Sequence, residues 1–124
     1  MPFMSDEIYD TGLDYADTNG TQIDITYTQE ATTYTEATST YTCGNDTVNT
    51  AATGDGAVDG RQATVPAITA GSVTATQTAG WWALTDGASI LVATNALSAT
   101  QAVTSGNTFS LDAIILGIRD ATSV

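Results

Sequence analysis

From Thr21 the chain alternates, with Ile23, Ile25 and Tyr27 on one side and Gln22, Asp24 and Thr26 on the other. That two-residue period is the signature of a strand with one buried face. The run from Thr28 to Thr42 is rich in threonine and tyrosine, which favour a pleated strand, and it carries the near-repeat Thr33-Tyr34-Thr35 and Thr40-Tyr41-Thr42. Further strand patterns cover Gln62 to Ile68, Ser72 to Thr78, Trp81 to Thr85, Ser89 to Thr94, Gln101 to Thr104 and Thr108 to Ile118. Turn residues punctuate them at Ala70-Gly71, Ala79-Gly80, Asp86-Gly87 and Ser105-Gly106-Asn107. Asp86-Gly87, set between two apolar runs, is the clearest hairpin signal. Ahead of the strands, Ser5 to Asp17 reads as a short helix: Ser5 is a suitable N-cap, Asp6 and Glu7 favour the positive end of the dipole, and Ile8, Tyr9, Leu13 and Ala16 approximate one face. Asn19-Gly20 marks its exit.

The predicted fold is therefore mainly β, an antiparallel β-sandwich or small β-barrel with a short N-terminal helix. At 124 residues the chain suits one domain, with an acidic arm and helix over residues 1–20 and a β domain over 21–124. Between Gly44 and Gly60 the glycines, Asn and Asp with little to bury predict a long surface loop or a pair of turns. The densest apolar stretch, Ile90, Leu91 and Val92 and then Phe109, Leu111, Ile114, Ile115, Leu116 and Ile118, places the expected core in the last third.

Charge changes the functional picture. Fourteen acids face two bases, Arg61 and Arg119, for a net charge of -12, and eight of the acids lie between Asp6 and Glu36. Nucleic acid is disfavoured as a partner, because phosphate recognition rests on Lys and Arg, and anionic membrane surfaces are disfavoured for the same reason. The excess also serves plain solubility, or tolerance of a salty medium. Apolar runs fall short of the roughly 20 residues a spanning helix needs. Met1 to Tyr9 carries acids where an export signal carries positive charge, so folding in a cytoplasm is expected, and the sequons at Asn19 and Asn45 read as accidental.

Candidate chemistry is sparse. Without histidine, Ser-His-Asp and Cys-His arrangements and His-containing zinc sites are ruled out. Cys43 has neither a disulfide partner nor a basic neighbour in sequence, and reads as a small residue on a strand edge. Carboxylate pairs are so abundant that none stands out as an acid-base couple. Asp55, Asp59, Asn45 and Asp46 could offer oxygen ligands to calcium, but their spacing departs from the EF-hand pattern. Gly54, Gly56 and Gly60 lack the lysine of a phosphate loop. No catalytic residue, metal or cofactor is expected. What remains are interface candidates: Trp81 and Trp82, which a strand turns to opposite faces so that one points outward, and Phe3 in the short apolar arm.

Several stretches resemble small virion proteins of tailed phages and prophages: the acidic segment ending Asp17-Thr18-Asn19; Thr32-Thr33-Tyr34-Thr35-Glu36-Ala37-Thr38-Ser39-Thr40-Tyr41; Gly60-Arg61-Gln62-Ala63-Thr64-Val65-Pro66; Trp82-Ala83-Leu84-Thr85-Asp86; and Thr104-Ser105-Gly106-Asn107-Thr108-Phe109. The resemblance implies a structural role in the particle. A charge of -12 would be repelled by packaged DNA, which favours the outer capsid surface. The expectation is a capsid cement or decoration protein, folded in the host cytoplasm, that binds the major capsid protein lattice and is compatible with a homo-oligomer. The rival expectations are a tail or fibre-associated subunit, and a carbohydrate-binding β-sandwich using the outward Trp.

Overall fold

The computed structural model describes residues 6–50, 54–55 and 60–118. In chain order the elements are α1 (Asp6–Asn19), β1 (Gln22–Thr26), a π-helix (Glu36–Thr40), β2 (Thr42–Thr47), β3 (Gly54–Asp55), β4 (Arg61–Val65), β5 (Ile68–Val73), β6 (Gln77–Thr85), β7 (Leu91–Val103), β8 (Thr108–Leu111) and β9 (Ile114–Ile118). The fold is mainly β, with one short helix near the N-terminus.

Two antiparallel sheets share the strands. The larger runs β7-β6-β1-β2-β5-β8 and curls into a half-barrel; the smaller runs β3-β4-β9. β1 pairs with β2 on one side and with β6 on the other, so its five residues are hydrogen-bonded along both edges. Inside the curl, Ile23, Ile25, Leu84, Trp82, Val73 and Phe109 meet Val65 of the smaller sheet, with Ile114 and Leu116 packed alongside. Leu13 and Ala16 are buried, and α1 packs against β4. The helix ends as its sequence suggests: Gly20 N–H donates to the Ala16 carbonyl at 2.7 Å, and a side chain at Gly20 would press on that carbonyl and on Leu84.

The core thus centres on β1, β2 and β6, a correction to the expectation that the last third would hold it. Ile90 and Ile115 keep 43% and 60% of their surface exposed, although Phe109 is buried. Apolar density misled because β9 lies in the smaller sheet, with only one row facing the curl.

β1 also departs from simple alternation. Asp24 and Thr26 are fully buried along with Ile23 and Ile25, because a second layer covers the other face. That layer is the segment from Tyr27 to Tyr41, where a strand was expected. Thr33 Oγ1 accepts the Glu36 N–H at 3.1 Å, while the Glu36 carboxylate accepts the Thr32 N–H at 2.7 Å and its hydroxyl at 2.9 Å. These bonds start a helical turn, and Tyr41 N–H closes it on the Glu36 carbonyl at 2.9 Å in the i to i+5 pattern of a π-helix. Ala31 and Ala37 then pack on Ala83 of the sheet. Local side-chain bonding by threonine and glutamate here overrides strand propensity.

The remaining boundaries shift for related reasons. Asn45 and Asp46 lie in β2 and Gly54 and Asp55 form β3, so residues 44–60 are not one long loop. Ala70-Gly71 and Ala79-Gly80 sit within β5 and β6, where pairing shifts register instead of turning the chain. Ser89 to Thr94 and Gln101 to Thr104 belong largely to a single strand, β7. Thr108 to Ile118 divides into β8 and β9. Asp86-Gly87 does turn the β6-β7 connection, with Gly87 at φ +74°, and Gly106 at φ +88° serves the turn before β8.

Candidate docking groove

The two ends of the curled sheet, β7 and β8, do not pair with each other. One groove of about 600 Å³ is lined by both of them, bounded by Ala96–Gln101 of β7, Ser110 and Leu111 of β8, and the chain from Asp112 to Ile114. Trp82, Ile68 and Leu111 bring core side chains to its surface.

The β7 wall is shaped by a large bulge. Ala79 pairs with Gln101 and Trp81 with Ala96, so two steps along β6 face five along β7. Gly80 sits at this register shift, with open space where a side chain would be, and Leu97–Thr100 are the extra residues of the bulge. Gln101 stands at this wall with its Oε1 buried and without a hydrogen-bond partner. Such an acceptor costs about 1–3 kcal/mol of desolvation until a donor reaches it. Asp112 is exposed at the rim, just after β8 ends.

The tryptophans separate as strand geometry requires. Trp82 is 8% exposed, belongs to the core and lines the groove, whereas Trp81 is half-buried on the opposite face between Thr26 and Ala96. Phe3 lies outside the described residues. The groove therefore receives Trp82 but not Trp81. Its other walls escaped sequence reasoning, since Ala96-Leu97-Ser98-Ala99-Thr100-Gln101 carries no turn residue or charge to signal a bulge.

Beneath the Tyr27–Tyr41 layer lies a buried polar cluster. Asp24 accepts hydrogen bonds from Gln22 Nε2 at 2.8 Å and Thr42 Oγ1 at 2.7 Å, and burial pushes its carboxyl above the ordinary carboxylate range against the pull of those bonds. Thr26 Oγ1, in the same layer, is buried without a partner. Cys43 is interior, not a strand-edge residue as its neighbours suggested. At a bulge it turns inward beside Gly44, its Sγ donates to the Ile25 carbonyl at 3.5 Å, and burial with the nearby Asp24 charge pushes its thiol up to about 11. Little reactive thiolate forms near neutral pH.

Of the oxygen-bearing residues weighed for calcium, Asn45 and Asp46 are successive on β2 and face opposite ways; Asp59 lies outside the described residues. Asp46 Oδ1 accepts the Thr47 N–H at 2.8 Å. Among the described residues no three acidic or cysteine side chains gather as a metal-ligand set, and no helix is long and apolar enough to cross a membrane.

No family model, curated protein or solved structure matches this chain.

Proposed function

We propose that this chain is a virion structural protein of the capsid cement type, seated on the outer surface of an assembled phage head. The observation that carries the reading is the groove between two sheet edges that no other described strand pairs with. An antiparallel sheet with open edges is a surface to which another chain can add. Here both edges border one concavity that exposes core side chains, and the bowed β7 limits indiscriminate pairing with copies of itself. The charge of -12 keeps the chain away from packaged DNA and steers it toward basic surfaces. The resemblance of its Thr32–Tyr41 and Thr104–Phe109 stretches to tailed-phage virion proteins points the same way. Docking to the assembled lattice, and not to free subunits, would stabilise the shell by mass action.

Cryo-electron microscopy of purified particles tests this reading. A repeated outer layer over capsomers that fits this fold is the expected result. Density only along the tail would make the chain a tail subunit, and absence from purified particles would overturn the virion role altogether.

A further inference from the structure

We infer that the groove recognises an extended, basic polypeptide segment, which adds as a strand along the free edge of β8. This deepens the docking role proposed above and rests on its choice of the groove.

Three observations converge on that occupant. Among the described residues β8 pairs through Ile68↔Leu111, Gly71↔Phe109 and Ser72↔Thr108 on its β5 side only, so its other edge offers backbone donors and acceptors into the groove that Ser110 and Leu111 line. The opposite wall, bulged at Leu97–Thr100, lines the groove across from that edge and does not pair with it. A strand rises about 3.3 Å per residue, so the four residues of β8 engage about four residues of an added strand, and a heptapeptide spans that edge with overhang at its ends. Ser98 and Thr100 on the facing wall and Ser110 beside the edge line the groove with hydroxyls that suit a hydrogen-bonding occupant.

The sign of the segment follows from charge. Asp112 stands at the rim, and the whole chain carries -12, so an acidic segment is repelled and a second copy of this chain is disfavoured by the same field. Lysine or arginine at alternate positions of the segment would face the rim, while the intervening residues rest over Trp82 and Leu111.

The experiment is a titration of the isotope-labelled full chain, followed by backbone amide NMR, with three capped heptapeptides. The first alternates threonine and lysine, the second is the same peptide N-methylated at every other residue, and the third replaces lysine by glutamate. The first is expected to give saturable shifts concentrated at Thr108–Leu111 and Ala96–Gln101. The other two are expected to bind at least tenfold more weakly. No saturable shift with the lysine peptide would overturn the inference. So would equal binding of the N-methylated peptide, which would mean charge alone is read, or shifts centred on another face. Binding here by a chain absent from particles would sink the cement reading and leave the groove assignment standing; a chain on the shell with no peptide response would do the reverse.

Discussion

Phe109 of β8 packs on Gly71, its register partner on β5, with its ring in the space where a Gly71 side chain would stand. The same ring is 3.1 Å from where a Cβ on Gly44 of β2 would be, so one aromatic covers glycines of two neighbouring strands. This arrangement replaces two missing side chains by one large apolar surface at the end of the sheet. Gly71→Ala is expected to cost about 1–3 kcal/mol through overpacking. Phe109→Leu is expected to lose stability alone but to lessen the penalty of Gly71→Ala, because the two sites share one space. Urea unfolding of the single and double variants measures the coupling, and strict additivity would refute the contact.

Asp24 gives the chain an acid-favouring contribution. Its folded pKa lies above the ordinary 3.8, so the native state holds its proton more tightly than the unfolded chain. The stability it contributes is full below that ordinary value and is lost as pH rises through the raised one. Asp24→Asn is therefore expected to be at least as stable as the parent at pH 7 and to lose its advantage in acid. Asp86 and Glu36 act with the opposite sign. Asp86 Oδ1 accepts the N–H groups of Ala88, Ser89 and Ile90 at 2.8–2.9 Å, and backbone N–H groups hold both carboxyls below the ordinary range. Their contribution is present above the ordinary value and is lost as pH falls through the lowered one. Thermal midpoints of the parent, Asp24→Asn and Asp86→Ala across pH 3 to 7 separate the two; a midpoint deficit of Asp86→Ala that persists unchanged in acid would contradict the turn assignment.

Thr28 opens the covering layer in a strained state. Its φ is +73°, and Gln29 N–H donates to the Tyr27 carbonyl at 2.8 Å, closing a tight three-residue turn that a β-branched residue seldom adopts. Thr28→Gly is expected to stabilise the fold by up to about 1 kcal/mol, relief of strain being partly offset by the flexibility glycine adds to the unfolded chain. A clear loss of stability would show that the threonine side chain contributes more than its backbone costs.

The adjacent tryptophans separate stability from surface. Trp82→Ala is expected to cost about 3–5 kcal/mol, as for a large buried aromatic, and Trp81→Ala clearly less. Tryptophan emission of the two Trp→Phe variants checks the assignment: the variant retaining only Trp82 is expected to emit at shorter wavelength than the variant retaining only Trp81.

How far the sequence announced this architecture depended on whether local and long-range forces agreed. At Asp86-Gly87, Asn19-Gly20 and Ser105-Gly106-Asn107 the backbone preference and the fold coincide, and the turns were legible. The alternation of Ile23 and Ile25 located β1, but nothing local revealed that Asp24 and Thr26 would also be covered. The Thr28 to Thr42 run was read by propensity, although Thr33-Tyr34-Thr35-Glu36 contains the serine/threonine-x-x-glutamate signal of a helix start. The groove was illegible. It arises from strands that meet only after the sheet curls, and from a bulge opposite Gly80 that no residue of β7 advertises.

The order of strands sets a timetable for synthesis. β1 leaves the ribosome well before β6, whose partners for Gln22–Thr26 are Trp81–Thr85, near sixty residues later. At about 5–20 residues per second, the hydrophobic row Ile23 and Ile25 waits on the order of 3–12 seconds for its partner. During that interval Asp24 within the strand and the acidic helix before it surround this sticky segment with negative charge. That charge, repelling nascent chains on one message, would guard the strand until Trp82 and Leu84 arrive to cover it.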